Sequence, residues 1–230
     1  LVVIILIIIM ALTASLFYPN DPFRLMGKPL SGPLTNGFLL GSDSLGRDVA
    51  SGIVHGAKTS LLIGFVATIV SVFIGIFFGA FAGYFGGRID DILMRVTEIF
   101  QTIPSFIFAI LLVAIMKPSI VSIVIAIAVV SWPGVARLVR GEFLALKNRE
   151  FVQACHTLGM SDFRIMLREI LPNCLSPIIV VGSLMVATAI LIESGLAFLG
   201  LGDPNIMSWG FLIGAGRTML RSAWWVCTFP

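Results

Sequence analysis

The feature that most constrains this chain is a series of charge-free apolar windows, each close to the length of a membrane-crossing helix. They run Leu1–Tyr18, Thr59–Gly87, Ile99–Met116, Pro118–Ala136 and Leu171–Ile192. A helix needs about 20 apolar residues to cross the hydrocarbon core. Charged residues make up only 12% of the 230-residue chain against 58% hydrophobic, and the mean hydropathy is +1.05. A soluble domain carries about 25% charged residues, and a chain of this length has too little interior to hide so much apolar surface. Composition therefore excludes a soluble single domain, a disordered chain and a nucleic-acid-binding domain. The net charge of +3 is too small and too spread to argue for a nucleic-acid partner. Membrane lipid is the expected solvent, and the expected fold is an all-α polytopic membrane protein.

The windows divide the single transmembrane domain, 1–230, into ordered parts. A first span is expected at 1–18 and an extracytoplasmic segment at 19–58. Spans follow at 59–87, 99–116 and 118–136. A charged cytoplasmic loop covers 137–170, a span 171–192, an extracytoplasmic loop 193–223, and the start of a truncated last span 224–230. The first window is read as an uncleaved span rather than a signal peptide, because no charged region precedes its apolar run. Both ends read as cut, since the chain opens at Leu1 inside an apolar run and stops at Pro230 just after Trp224-Trp225. Eight of the 15 lysines and arginines fall in the two short segments 88–98 and 137–170. Density of positive charge places those segments in the cytoplasm.

Three cysteines, Cys155, Cys174 and Cys227, and two histidines, His55 and His156, show no CxxC or clustered spacing, so no metal site is expected. The second window carries Gly64, Ala67, Ser71, Gly75, Gly79 and Gly83 at spacings of three and four. Such a stripe lets helix backbones approach closely, so it reads as a packing face buried against protein rather than lipid.

Segment 137–173 differs from the rest: it is long, charged and still helically patterned. Phe143, Phe151, Ala154, Cys155 and Leu158 trace an apolar stripe on one helix. Gly159 suits the left-handed residue that ends it. Ser161 is placed to cap a second helix, with Asp162 in its first turn and Arg168 in its last. Phe163, Met166, Leu167, Ile170 and Leu171 repeat the stripe, and Pro172 is expected to break it. The loop is thus a helix–turn–helix whose apolar faces have no membrane to enter. They pack on the ends of the spans, meet another protein, or do both with opposite faces.

Here the residues carry a resemblance. The run from Glu150 to Asn173 is similar to the "EAA" loop of ABC-importer permeases, which reads Glu-Ala-Ala, a glycine four residues on, then Ile-Leu-Pro. This chain holds Gln153, Ala154, Cys155, Gly159 and Ile170-Leu171-Pro172 there. Gln153 for Glu removes a carboxylate but keeps a hydrogen-bonding group, and Cys155 for Ala keeps approximate size. Leu40-Gly-Ser-Asp-Ser-Leu-Gly-Arg-Asp48, Gly86-Gly-Arg-Ile-Asp90 and Glu193-Ser-Gly-Leu-Ala-Phe-Leu-Gly-Leu-Gly202 with Ser208-Trp-Gly210 resemble the dipeptide, oligopeptide and nickel branch.

The resemblance implies a type I importer permease bundle of five spans and part of a sixth. It implies half of a translocation pathway for peptides or a nickel chelate in a bacterial or archaeal plasma membrane. The implied partners are a second homologous permease, two cytoplasmic ATPases and an extracytoplasmic solute-binding protein. No cofactor is implied in this chain; ATP and magnesium would sit in the ATPases, and no G-x-x-x-x-G-K-[ST] run is present. The chain would be a transport subunit, not an enzyme. Residues Glu150, Gln153, Ala154, Cys155, Gly159, Ser161, Asp162, Arg164, Leu171 and Pro172 are the implied ATPase-coupling set, working as a lever that moves with the ATPases.

Several other residues have two readings. Asp43, Arg47 and Asp48 face a binding protein or, with better odds, form a structural turn. Glu193 is an ionisable group at a span end and so a functional candidate, or a helix-end carboxylate facing water or a neighbouring loop. Arg88, Asp90, Asp91 and Arg95 resemble a helix-end charge network. Pro104 and Pro133 can kink spans. The rival class is a stand-alone gradient-driven transporter or channel. Such proteins place charges at mid-membrane, and here only Glu193 comes near that.

Overall fold

The computed structural model describes residues 2–230, with side chains from Ile5 onward. Among the described residues every regular element is helical, and the one strand-like feature is an isolated antiparallel bridge between Ser42 and Asp48. In chain order the helices are α1 (Val2–Leu12), α2 (Ala14–Phe17), α3 (Val49–Phe85), α4 (Gly87–Gln101), α5 (Ser105–Met116) and α6 (Ile120–Leu146). Then come α7 (Glu150–Thr157), α8 (Asp162–Ile165), α9 (Leu171–Phe198), α10 (Trp209–Gly216) and α11 (Trp225–Thr228). A π turn, Met166–Ile170, joins α8 to α9.

Three stretches are long and apolar enough to cross a membrane: Val49–Phe85, Ile120–Leu146 and Asp162–Phe198. The pair α4 and α5 makes a fourth if a bent pair counts as one span. The first window holds the 11 residues of α1 followed, after Thr13, by α2. In the third window the helix breaks by 81° between α4 and α5. Pro104 lies in that break; its missing N–H and its ring disfavour a helical conformation for Ile103. By contrast α6 runs on through Pro133.

Helix ends also overrun the apolar windows. Helix α3 begins at Val49, ten positions before its window, and α6 continues to Leu146. A charge at a helix end spoils transfer into lipid but not the backbone hydrogen-bond ladder, so charge-free windows mark the apolar stretch and not the helix. The expected break at Pro172 is absent as well. The π turn widens the helix just before it, and the Leu171 N–H donates to the Met166 carbonyl in an i→i−5 register. A wider turn relieves the clash that a proline ring makes with the carbonyl four residues earlier.

The chain packs as two compact units. One comprises Val66–Ala109 and Ile125–Ala187. Its seam is the glycine stripe of α3 against α6. A methyl added to Gly83 would stand 2.6 Å from Phe143 Cβ and 2.7 Å from the Arg140 carbonyl oxygen. Gly75 and Gly79 meet Val135, Ala136 and Val139 just as closely. The large residues Phe73 and Phe77 of the same helix are exposed. Small residues in and large residues out is the arrangement that lipid permits and water does not. The core of this unit joins Val135, Val139 and Phe143 of α6 to Val152, Ile165, Met166, Ile170 and Cys174.

The other unit comprises Leu1–Phe65, Ile110–Val124 and Thr188–Pro230. Here Val49, Ala223, Trp225 and Val226 form a small core, and the Trp225 indole N–H donates to the Ser42 carbonyl at 3.2 Å. Gly41, at φ +87°, lies directly beneath that indole, where an added Cβ would be 2.6 Å from Nε1.

Candidate functional site

The segment from Glu150 to Pro172 is the most elaborated polar element in its unit. Arg149 enters in an extended conformation, and Glu150 puts a carboxylate in the first turn of α7, where the helix dipole favours it. Gln153 turns its amide back and donates to the Asn148 carbonyl at 3.3 Å. A glutamate could accept but not donate there, so the glutamine has a role of its own. At the other end the Met160 N–H donates to the Cys155 carbonyl and the Gly159 N–H to that of His156. With Gly159 at φ +74° this pairing is a Schellman ending. No atom lies within 4 Å of a Cβ built on Gly159, so its left-handed backbone, and not crowding, selects glycine.

The second helix departs from expectation at its start. The Ser161 side chain makes no capping bond; its backbone carbonyl accepts from the Arg164 and Ile165 N–H groups instead. Asp162 accepts a hydrogen bond from the Tyr84 hydroxyl at 2.7 Å. His156 Nε2 lies 3.4 Å from the same hydroxyl, and its ring stacks on that of Tyr84. Tyr84 is the residue that sequence reasoning missed. Only its place near the end of a long helix, two residues before Gly86, hinted that it could reach a neighbouring loop.

Apolar side chains of the loop divide between two faces. Val152, Ile165, Met166 and Ile170 are buried in the core with Phe143, while Cys155, Met160 and Leu171 pack half-buried against it. Phe143 therefore belongs to α6, not to the α7 stripe, because Lys147, Asn148 and Arg149 interrupt the helix. On the outer face Phe151, Leu158, Phe163 and Leu167 are exposed, Leu158 by 80%. Gln153, Ala154, Ser161, Asp162, Arg164 and Pro172 are exposed as well. The loop thus uses one face for anchorage and presents the other.

Next to it, α4 is built inside out. Ile89, Ile92 and Ile99 are exposed, whereas Asp90 and Thr97 are buried. Arg140 grips Asp90 with two parallel bonds of 2.5 and 2.6 Å, the fork geometry that guanidinium and carboxylate favour. The expected charge network exists, but its cationic partner comes from α6 and not from Arg88 or Arg95. The pair borders a cleft of about 640 Å³ that Asp91, Arg95, Glu98 and Arg137 also line.

In the other unit, Glu193 is 1% exposed. Its Oε1 accepts from the Ser208 hydroxyl at 2.7 Å and its Oε2 from Ser60 at 3.4 Å. Ser208 in turn caps α10, accepting from the Phe211 N–H. Ser60 accepts from the Trp209 N–H, and the Trp209 indole donates to the Ile53 carbonyl. Gly210 packs so closely that an added Cβ would lie 2.7 Å from Ser194 Cα. The carboxylate thus contacts a neighbouring loop through Ser208.

The Asp43–Asp48 segment forms its own turn, with Arg47 and Asp48 half-buried. Asp43 is buried, and its carboxylate accepts from the Leu45 and Arg47 N–H groups. The Arg47 guanidinium lies 4.9 Å from the centre of the Phe23 ring. Asp48 accepts from the Ala50 N–H, yet burial pushes its carboxyl above the ordinary carboxylate range. Asp43 and Asp48 thus spend carboxylate oxygens on this turn, which is the geometry of the structural reading.

With this geometry in view, three comparisons are informative. Residues 75–226 match the family described as "Binding-protein-dependent transport system inner membrane component". The chain is 39% identical to the di/tripeptide transport system permease protein DppC of Pseudomonas aeruginosa, across all of this chain and 78% of that protein. It is 42% identical to the oligopeptide transport system permease protein OppC of Escherichia coli, across all of this chain and 76% of the other. A chain of the inward-facing MetNI methionine ABC transporter shares the fold, with a TM-score of 0.63 and 16% identity over 76% of this chain and 84% of that one.

Proposed function

The chain belongs to the family of binding-protein-dependent transport system inner membrane components, and we propose that it forms half of an import pathway for dipeptides or oligopeptides. A second permease supplies the other half. A solute-binding protein delivers the peptide, and two ATPases hold the ATP and magnesium and do the hydrolysis. Relatives named for di/tripeptide and oligopeptide transport support the substrate class.

The observation that carries the coupling role is the split of the loop into two apolar faces. Phe151, Leu158, Phe163 and Leu167 stand exposed beside a fully buried Val152 and Ile165. Large apolar side chains left open on a segment whose inner face is satisfied mark a docking surface. The occupant is a cleft on a cytoplasmic ATPase, and residues Gln153–Arg164 are the element that seats in it. ATP-driven closure of the ATPases then moves α7, and the core shared with α6 carries the motion into the helices. On this reading the loop 137–170 is cytoplasmic.

Leu158→Asp tests the docking. The side chain is 80% exposed, so the chain should keep its stability to within about 0.5 kcal/mol. Tagged full-length protein, purified gently from its own membranes, should bring down a second permease and ATPases; the variant should bring down the permease alone. An unchanged ATPase yield with Leu158→Asp would overturn the reading.

A further inference from the structure

We propose that Tyr84 is a positioning residue that clasps the two helices of the coupling turn to the end of α3. The hydroxyl donates to Asp162 on one side of Gly159 and lies within reach of His156 on the other. One side chain therefore spans the turn from outside it. The turn needs such a tether, because α7 has eight residues and only Val152 among them is fully buried. An eight-residue helix is too short to hold itself. The Schellman bonds set the local shape of the ending, but nothing in them fixes its distance from α3.

Tyr84 is also well founded. It follows Gly83, whose close contact with Phe143 and Arg140 locks α3 to α6 at that level. The ring packs against the core that holds Val152 and Ile165. Only the hydroxyl and the ring face are committed to the turn. The sequence thus places the tether at the last rigid turn of the helix, two residues before Gly86 with its positive φ ends it.

The coupling part of this inference rests on the proposed function; the clasp itself does not. Tyr84→Phe keeps the ring and loses only the hydroxyl. In the full-length chain, backbone amides of Gly159 and Met160 should exchange hydrogen roughly 3- to 10-fold faster, the worth of one partly exposed hydrogen bond to a carboxylate. Exchange in the rest of α3 and α6 should not change. Read by exchange at Gly159 and Met160 alone, Asp162→Asn, which retains an acceptor oxygen, should lose less than Asp162→Ala, and Asp162→Ala should match Tyr84→Phe with no further loss in the double variant. In the assembled transporter, transport of a radiolabelled dipeptide per ATP hydrolysed should fall by a similar factor while ATP hydrolysis persists.

Unchanged exchange at Gly159 and Met160 would overturn the clasp, as would faster exchange throughout both helices, which would mean general destabilisation. A normal peptide-to-ATP ratio despite faster exchange would overturn the positioning role. A parent protein that never stimulates ATP hydrolysis would instead sink the proposed function, and the exchange result would still decide the clasp.

Discussion

Replacing Glu193 separates a structural carboxylate from one that works by its charge. In Glu193→Ala the Ser208 hydroxyl loses its acceptor in a site that is closed to water. A hydrogen bond to a charged group contributes about 1.5–3 kcal/mol. The Ser60 contact, at 3.4 Å, adds little. Deleting the side chain beside the tightly packed Gly210 leaves a small void, which costs about 1 kcal/mol more. The sum is about 2.5–4 kcal/mol, or roughly 5–16 °C in the unfolding midpoint of a chain this long. Glu193→Gln should lose about 1 kcal/mol or less, since its amide oxygen can accept from Ser208 and its nitrogen can donate to Ser60. Two assays check this: thermal unfolding of the full-length chain in detergent, and proteolysis within 199–207, the stretch that precedes the Ser208 cap. A stable alanine variant would refute the account of α10 anchorage. A glutamine variant as damaged as alanine would mean that the negative charge itself is required, and would return a gradient-driven mechanism to contention.

The helix seam and the glycine turn give two further expectations. Gly83→Ala forces a methyl against Phe143 Cβ and the Arg140 carbonyl and should destabilise the chain by about 1–3 kcal/mol, read as a lower unfolding midpoint. Gly159→Ala meets no atom, so it should cost only the left-handed backbone, about 1 kcal/mol, and Gly159→Asn less; amide exchange across 156–160 measures both. Equal penalties at the two glycines would contradict the distinction between crowding and backbone strain.

Which features were legible in the sequence follows from the physics each one reports. The apolar windows report transfer into lipid, so they located the cores of α3, α6 and α9. The glycine stripe reports backbone approach, and Gly75, Gly79 and Gly83 do approach another backbone closely, although the stripe did not name α6 as the partner. Gly159 was readable because one residue's φ decides a turn. Helix ends were not readable from charge, as the start of α3 at Val49 shows. Pro172 misled because a π turn supplies what a proline removes, and no periodicity signals that turn. Ser161 misled because its capping role went to its own carbonyl and its neighbour Asp162 found Tyr84 instead. Partners 78 positions apart leave no local trace.

The unbroken passage through Pro172 bears on how a loop so lightly anchored at α7 can do mechanical work. Had the helix ended there, residues after Gly159 would hang on a flexible joint, and displacement of the outer face would dissipate in it. Instead Asp162 to Phe198 is one helical stretch. Ile165 just before the π turn and Met166 and Ile170 within it lock into the same core as Val139 and Phe143. The presented face and the anchored face are then two sides of one rigid element. A push on Phe163 or Leu167 must move Ile165 and Met166 with it, and these move against α6. The turn at Gly159 is held by the Schellman bonds from within and by Tyr84 from α3. On the proposed coupling role, a push from a docked ATPase would reach α6 through the core that Ile165 and Met166 share with Val139 and Phe143.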